Sequence, residues 1–457
     1  MGHKMSFHRA SVYIVVGTLF AFTFSVMLVF ICGRIEARHP NLRNYATNYV
    51  LNLADKSTFF DNDSAHKSVI INWSERYPFA GAEYENLPHT TSTFENVVKF
   101  AKKIQNSALS HTQESLIFRH KYVEAVATME KIMGISAMKK KTPSSYAILD
   151  GDYLAEYDER IDISAHARAL SDFQRFLQGE NIDFLYVQAP DKVCKSDDIA
   201  NTRDFANQNA DDLLCALERS RTPYLDLRDE IHKGGLVHHD LFFKTDHHWK
   251  PETGLWATKI IAEGLNDSFG FNIDTSLYDP GRYDYKVYDG NLGSIGRRAT
   301  LAVARQEPFT CIFPKFEVDL TIQIPSRNLD KRGDFTVIYY EDYWKYVLQE
   351  ENAYLKDYYN VYLYMENPTV SVQNNSLGYD EKRVLMISDS FNRVVAPFLT
   401  LSVSQIDILA LNRFTGSVKS FIEQNRPDVV IVMYCPRWIA RNKSIDYKSH
   451  TSFFDFR

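Results

Sequence analysis

Hydrophobic and polar positions alternate in three different ways along the chain. From Ala10 to Gly33 no side chain is charged, and Val, Leu, Ile and Phe dominate the run. About 20 consecutive apolar residues span a bilayer core, so the pattern predicts a transmembrane helix over 10–33. The run is longer than the apolar part of a signal peptide and lacks a small-x-small cleavage site, which predicts an uncleaved anchor. Lys4 and Arg9 precede it, and Arg34 and Arg38 follow it. A short leading tail usually stays in the cytoplasm. Residues 1–9 are therefore expected there, and the chain beyond the anchor outside, as a single-pass protein of the cell membrane.

Residues 34–143 read as a stalk and helical spacer. Up to about residue 90 they are polar and rich in Asn, Asp and Tyr. Ser92 with Glu95 forms a capping box. Phe94, Val97, Val98, Ala101 and Ile104 then recur at helical spacing. A second helical stretch is expected from Gln113 to Met133, and Lys139–Ser144 reads as a linker.

From about residue 144 the pattern becomes that of an α/β domain reaching to residue 457. Ser164–Gln178 is amphipathic, and Asn207–Glu218 is helical. Asp183–Gln188, Tyr224–Leu227, Val384–Ile387, Ile406–Leu409 and Val429–Met433 are short apolar runs. Pro251 is suited to the first position of a helix. Helices are also expected near 394–402 and 416–425. Strands alternating with helices predict a parallel sheet flanked by helices. Residues 270–380, rich in Tyr, Val and Asp, read as a mostly β insertion packed beside that sheet.

Composition changes this picture little. Apolar residues make up 45% and charged residues 24%, as in ordinary globular proteins. Lys and Arg number 52 against 58 Asp and Glu, a net charge of −6, so nucleic acid is not an expected partner. The 14% aromatic content suits a sugar-contacting surface, though packing is its commoner use. The five cysteines show no CxxC and no framework spacing, which leaves a zinc ribbon unsupported and room for one or two disulfides.

Chemistry in an open α/β sheet gathers at the carboxyl ends of the strands. Ser388-Asp389-Ser390-Phe391-Asn392 follows the run VLMI and precedes a helix. A serine there is exposed beside free helical N–H groups, which suit an acyl-transfer oxyanion; a lone serine in that position is more often simply an N-cap. Thr245-Asp246-His247-His248-Trp249 precedes Pro251. A carboxylate two residues before a histidine, in a non-helical turn, can fix its tautomer and stabilise the imidazolium. His232, His238, His239, His247 and His248 fall within 17 positions, 232 to 248, which raises a metal site as the rival reading. No HExxH or comparable spacing supports it, and no metal is expected. Ala189–Lys192 and Tyr434–Arg437 either line a pocket or form ordinary turns. Together, the first two features put a serine, a histidine and an aspartate at one sheet edge.

FKTDHHW, NLGSIGRR (Asn291–Arg298) and VLMISDSF resemble the DHHW-motif family, related to the alginate O-acetylation proteins of the AlgJ/AlgX type. Ser388 stands where alginate-type relatives usually carry glycine. The resemblance implies an SGNH-hydrolase-like fold, with Ser390 as nucleophile, His248 as general base and Asp246 as its orienting carboxylate. Phe391, Asn392, Trp249 and Arg393 are candidates for holding the oxyanion or substrate, the Phe391 and Asn392 positions through the N–H groups and side chain of the nucleophile turn. The resemblance further implies O-acetylation, or de-acetylation, of a cell-envelope or secreted polysaccharide. No cofactor is implied; a membrane-bound O-acyltransferase partner would supply the acetyl group. The contrasting readings are a non-catalytic envelope glycan-binding or assembly protein of the same fold, and a metal-dependent hydrolase.

Overall fold

The computed structural model describes residues 146–194, 204–378, 382–441 and 453–457. The expected anchor, stalk and helical spacer lie outside the described residues. Among the described residues no helix is long and apolar enough to cross a membrane.

In chain order the strands are β1 (Ala147–Leu149), β2 (Tyr153–Ala155), β3 (Asp183–Gln188), β4 (Tyr224–Asp226), β5 (Tyr283–Asn291), β6 (Glu307–Pro314), β7 (Leu320–Ile324), β8 (Leu329–Gly333), β9 (Thr369–Asn374), β10 (Arg383–Ser388), β11 (Gln405–Leu409) and β12 (Val429–Tyr434). The helices that build the layers are α1 (Ser164–Gly179), α2 (Ala206–Arg219), α3 (Pro251–Phe269), α4 (Ser294–Ala299), α5 (Glu341–Gln349) and α6 (Val418–Asn425). The main sheet runs β4-β3-β12-β10-β11-β9-β7-β8. Its first five strands are parallel, with β10 between β12 and β11.

Each central strand feeds two cores, because successive side chains point to opposite faces. Val384 and Met386 of β10 face a layer containing Leu255, Ile261 and Leu265 of α3. Leu385 and Ile387 face α1, α2 and α6 through Leu170, Phe173, Leu213, Leu217 and Ile422. Burial on both faces explains why these strands read as unbroken apolar runs.

The sheet is mixed rather than parallel, which corrects the expectation. The insertion does not only pack beside it. β9 pairs antiparallel with β11, β7 with β9 and β8 with β7. β9 (TVSVQN) alternates buried and part-buried positions, as a one-sided edge addition requires, and it covers the otherwise unpaired edge of β11. Only the β5–β6 ribbon stands apart as its own sheet. The insertion also contains α4, α5 and several short 3-10 turns, so its regular structure is not only β. No disulfide joins any two of Cys194, Cys215, Cys311 and Cys435, so the disulfides left open by the sequence do not form among them.

Pro251 occupies the first turn of α3, and Gly270 ends the helix in the left-handed conformation. Gly254, in the first turn, lies directly on the segment after β10. A Cβ there would stand 2.1 Å from the Val394 carbonyl oxygen. The backbone of Val394 cannot yield without moving the turn that carries Ser390. Gly254→Ala is therefore expected to destabilise the protein by about 2 kcal/mol or more through overpacking. Urea unfolding followed by near-UV circular dichroism checks this; an unchanged midpoint would show that the contact is slack.

Candidate active site

Ser390 opens a 3-10 turn, Ser390–Val394, at the carboxyl end of β10. The cap of this turn is not Ser390. Asp389 takes that role: its Oδ1 accepts the Phe391 N–H at 2.9 Å, and its Oδ2 accepts the Cys435 N–H at the end of β12 at 2.7 Å. One buried carboxylate thus ties the turn to the neighbouring strand and releases the Ser390 hydroxyl from capping. That hydroxyl lies 2.7 Å from His248 Nε2.

His248 sits in the turn before α3, which a Phe242–Trp249 bridge closes. Asp246 Oδ1 accepts the His248 backbone N–H at 3.0 Å and contacts His248 Nδ1 at 2.7 Å. Its Oδ2 accepts the Ser294 N–H at 2.6 Å. Burial alone would push the Asp246 carboxyl up. The adjoining imidazoles of His248 and His247 and the Ser294 N–H outweigh burial and hold it well below the usual range. An ionised carboxylate only accepts hydrogen bonds. Nδ1 therefore carries a proton toward Asp246, and in the neutral imidazole Nε2 is the acceptor for the Ser390 hydroxyl. Asp246, His248 and Ser390 form one continuous hydrogen-bonded chain.

Several further residues, to which the sequence assigned no individual role, shape this chain. The NLGSIGRR segment folds over the Asp246 turn. A Cβ on Gly293 would stand 2.4 Å from the Asp246 Cβ, and one on Gly296 would stand 2.9 Å from the Thr245 Cβ; both glycines are needed for close approach. Ser294 gives its N–H to Asp246, and its hydroxyl lies 2.8 Å from His247 Nδ1. Glu307 of β6 accepts the backbone N–H groups of Lys244 and Thr245 at 2.8 and 2.7 Å. Lys192 is buried and donates to the carbonyls of Leu154 and Lys244 at 2.6 and 3.2 Å. Burial lowers its ammonium to about 8, against the pull of Asp246, Glu307 and Asp191.

The Ala189–Lys192 and Tyr434–Arg437 turns bind each other. Arg437 pairs with Asp191 at 2.8 Å and Asp158 at 3.1 Å, and is buried. Both turns are braces rather than pocket walls. The five histidines do not converge. His238 Nε2 lies 2.7 Å from the Asp191 carbonyl. Among the described residues, the acid and imidazole atoms that gather within 4.8 Å are those of Asp246, His247 and His248, and both ring nitrogens of His248 are already engaged.

The four expected contact residues divide. Trp249 is completely buried, and its Nε1 donates to the Phe391 carbonyl at 3.1 Å, so it is a core residue that ties the two turns together. Phe391 is also buried, and its N–H is committed to Asp389; the expectation that this N–H faces an oxyanion is corrected. Arg393 donates from Nη1 to Asn360 Oδ1 at 2.7 Å. Asn392 is 5% exposed, and among the described residues its amide has no hydrogen-bond partner. The same holds for the Ser390 N–H. Both belong to the turn that carries the hydroxyl.

Residues 149–295 match the family model described as the SGNH hydrolase-like domain of acetyltransferase AlgX. The match includes the Asp246 turn and Gly293, and stops short of Ser390. No curated protein matches the chain by sequence. Among solved structures, PatB1 of Bacillus cereus with a sulfonyl adduct is 17% identical, over 68% of this chain and 98% of that one, with a TM-score of 0.52. A DHHW family protein from Eubacterium siraeum is 14% identical over 65% and 91% of the two chains, with a TM-score of 0.48. AlgX of Pseudomonas aeruginosa is 14% identical over 69% of each, with a TM-score of 0.34. The resemblance carried by the motifs is thus matched by a family model and, through the first structure, by the fold.

Asp389 gives this site a pH signature. Burial pushes its carboxyl up to about 6, against the N–H groups of Cys435 and Phe391 and the His248 ring. A raised carboxyl favours the fold below its unfolded value, near 3.9, and that advantage is lost as pH rises through about 6. Asp389→Asn loses a hydrogen bond at every pH but escapes this penalty. Its stability relative to wild type is expected to rise by up to ~3 kcal/mol between pH 4 and pH 7. Urea midpoints at the two pH values measure the change; parallel curves would mean that Asp389 ionises normally in the fold.

Proposed function

We propose that the protein is a membrane-anchored, extracytoplasmic O-acetyltransferase acting on a cell-envelope or secreted polysaccharide. The observation that carries this reading is the unbroken hydrogen-bond chain from Asp246 through His248 to Ser390. The family model is that of an acetyltransferase, and the apolar run over 10–33 supports the anchor.

In this reading His248 Nε2 takes the proton of the Ser390 hydroxyl as Oγ attacks the acyl carbonyl carbon. The Asp246 carboxylate stabilises the imidazolium through Nδ1–H. The Ser390 N–H and the Asn392 amide donate to the oxyanion. Collapse breaks the bond to the donor's leaving group, which receives the proton from His248, and leaves an acetyl ester on Ser390. A sugar hydroxyl then attacks that ester. His248 takes its proton and returns it to Ser390 Oγ as the C–O bond to serine breaks. When water attacks instead, the same steps release acetate and the protein is an esterase. The reaction needs no cofactor. A membrane-bound O-acyltransferase is the partner suited to deliver the acetyl group, since the chain carries one predicted span.

Turnover of p-nitrophenyl acetate by the full chain in detergent tests the mechanism. Ser390→Ala and His248→Ala are each expected to lower kcat/KM by about 10³-fold or more, and Asp246→Asn by about 10²-fold or more. An aryl sulfonyl fluoride should leave one adduct, on Ser390, located by mass spectrometry of peptides. Equal nitrophenol release by wild type and Ser390→Ala, with no labelled serine, would end the serine mechanism.

A further inference from the structure

The His248 imidazole has a ring against each face. The Tyr359 ring lies 3.9 Å away, centroid to centroid, and within 12° of parallel. The His247 ring lies 3.8 Å away at 36°. Two rings this close to a third cannot share one of its faces without overlapping each other, so they occupy opposite faces. The edges are held as well: Nδ1 by Asp246 and Nε2 by Ser390.

Tyr359 comes from the insertion, in the short turn Tyr358–Val361. Its neighbour Asn360 accepts a hydrogen bond from Arg393, three residues after Ser390. The Arg393 guanidinium itself stands 6.0 Å from the centre of the Tyr359 ring. One turn therefore touches both the histidine and the turn that carries the serine. Tyr359 is buried, and its hydroxyl lies close to the Trp249 indole N–H, which is itself committed to the Phe391 carbonyl, so the hydroxyl has no well-formed hydrogen bond of its own. The contact that the site uses is the face of the ring.

We infer that Tyr359 is a positioning residue, whose ring, opposed by His247, clamps the His248 imidazole in one orientation throughout turnover. The inference rests on His248 acting as the base. A clamped ring slides in its own plane but does not turn over. The proton taken from Ser390 Oγ is then handed on by the same Nε2, while Nδ1 stays with Asp246. Productive geometry of this kind affects the chemical step more than ground-state binding.

The full chain in detergent, labelled at histidine Cε1, provides the test. The His248 resonance is identified by its loss in His248→Asn. Tyr359→Leu removes the ring; kcat for p-nitrophenyl acetate should fall about tenfold or more with KM little moved, and the His248 Hε1 resonance should lose its ring-current shift. Tyr359→Phe should restore both. His247→Ala, a part-exposed position, tests the opposite face without emptying the core, and should shift the same resonance and lower kcat. The inference is overturned if kcat of Tyr359→Leu matches that of wild type, if KM alone changes, if Phe fails to rescue a folded protein, or if the resonance stays put in both ring-removing variants. Full turnover by Ser390→Ala would instead remove the serine reading and leave the resonance shifts standing as evidence of the clamp.

Discussion

The ionised carboxylate of Asp246, buried below the sheet edge, is the constraint around which the site is organised. A buried charge is tolerated only when its lone pairs are filled. Here three donors fill them: the His248 backbone, the His248 ring and the Ser294 backbone. Satisfying the charge fixes the imidazole tautomer, and the tautomer decides that the second ring nitrogen accepts from Ser390. Burial, charge and hydrogen bonding are therefore one arrangement. The close approach of Gly293 belongs to it as well, because any side chain there would hold the Ser294 N–H away from the carboxylate.

A second layer of charged side chains, Lys192 and Arg437 buried and Glu307 half-buried, holds the turns that hold the site. Lys192 joins the strand β2 carbonyl of Leu154 to the carbonyl of Lys244, two residues before Asp246. Glu307 takes the N–H groups of the same stretch. Arg437 closes the strand ends of β3 and β12 through Asp191, beside the point where Asp389 receives the Cys435 N–H. Removing one member of such a set leaves its partners buried and unmatched, which costs more than the pair contributes. The serine and histidine turns thus gain rigidity from groups outside the Asp246–His248–Ser390 chain.

The parallel half of the fold was legible in the sequence because burial on both faces forces unbroken apolar runs. Asp183–Gln188 and the run VLMI needed no other signal. Asp246, His248 and Ser390 were legible as residue types at strand-to-helix turns, and the resemblance supplied their pairing. The mixed half was not legible. β7, β8 and β9 are short and half-polar, and nothing in a local pattern tells an edge addition from a strand of a separate sheet. Asp389 was hidden for a different reason: Ser and Asp are both good N-caps, and only the position of Cys435 N–H selects between them. Trp249 looked available beside the histidine because sequence proximity carries no information about which way a side chain turns; its buried bond to the Phe391 carbonyl belongs to the contact between two turns.

The insertion is likewise part of the candidate site's architecture rather than an appendage. The parallel strands supply the serine turn, and the segment before α3 supplies the histidine. Both segments are loops, and loops alone hold angles loosely. The insertion reaches each of them from its own elements: Ser294 of α4 at Asp246, Glu307 of β6 at Thr245, and the Tyr358–Val361 turn at His248 and Arg393. Its strands β7–β9 are in turn hydrogen-bonded to the edge of the main sheet, so the pieces that grip the site are fixed to the same frame as Ser390. A parallel core with two adjacent loops would bring the residues near one another. Extending the sheet through the insertion gives those loops a rigid third support, which is what a hydrogen bond between residues 142 positions apart requires.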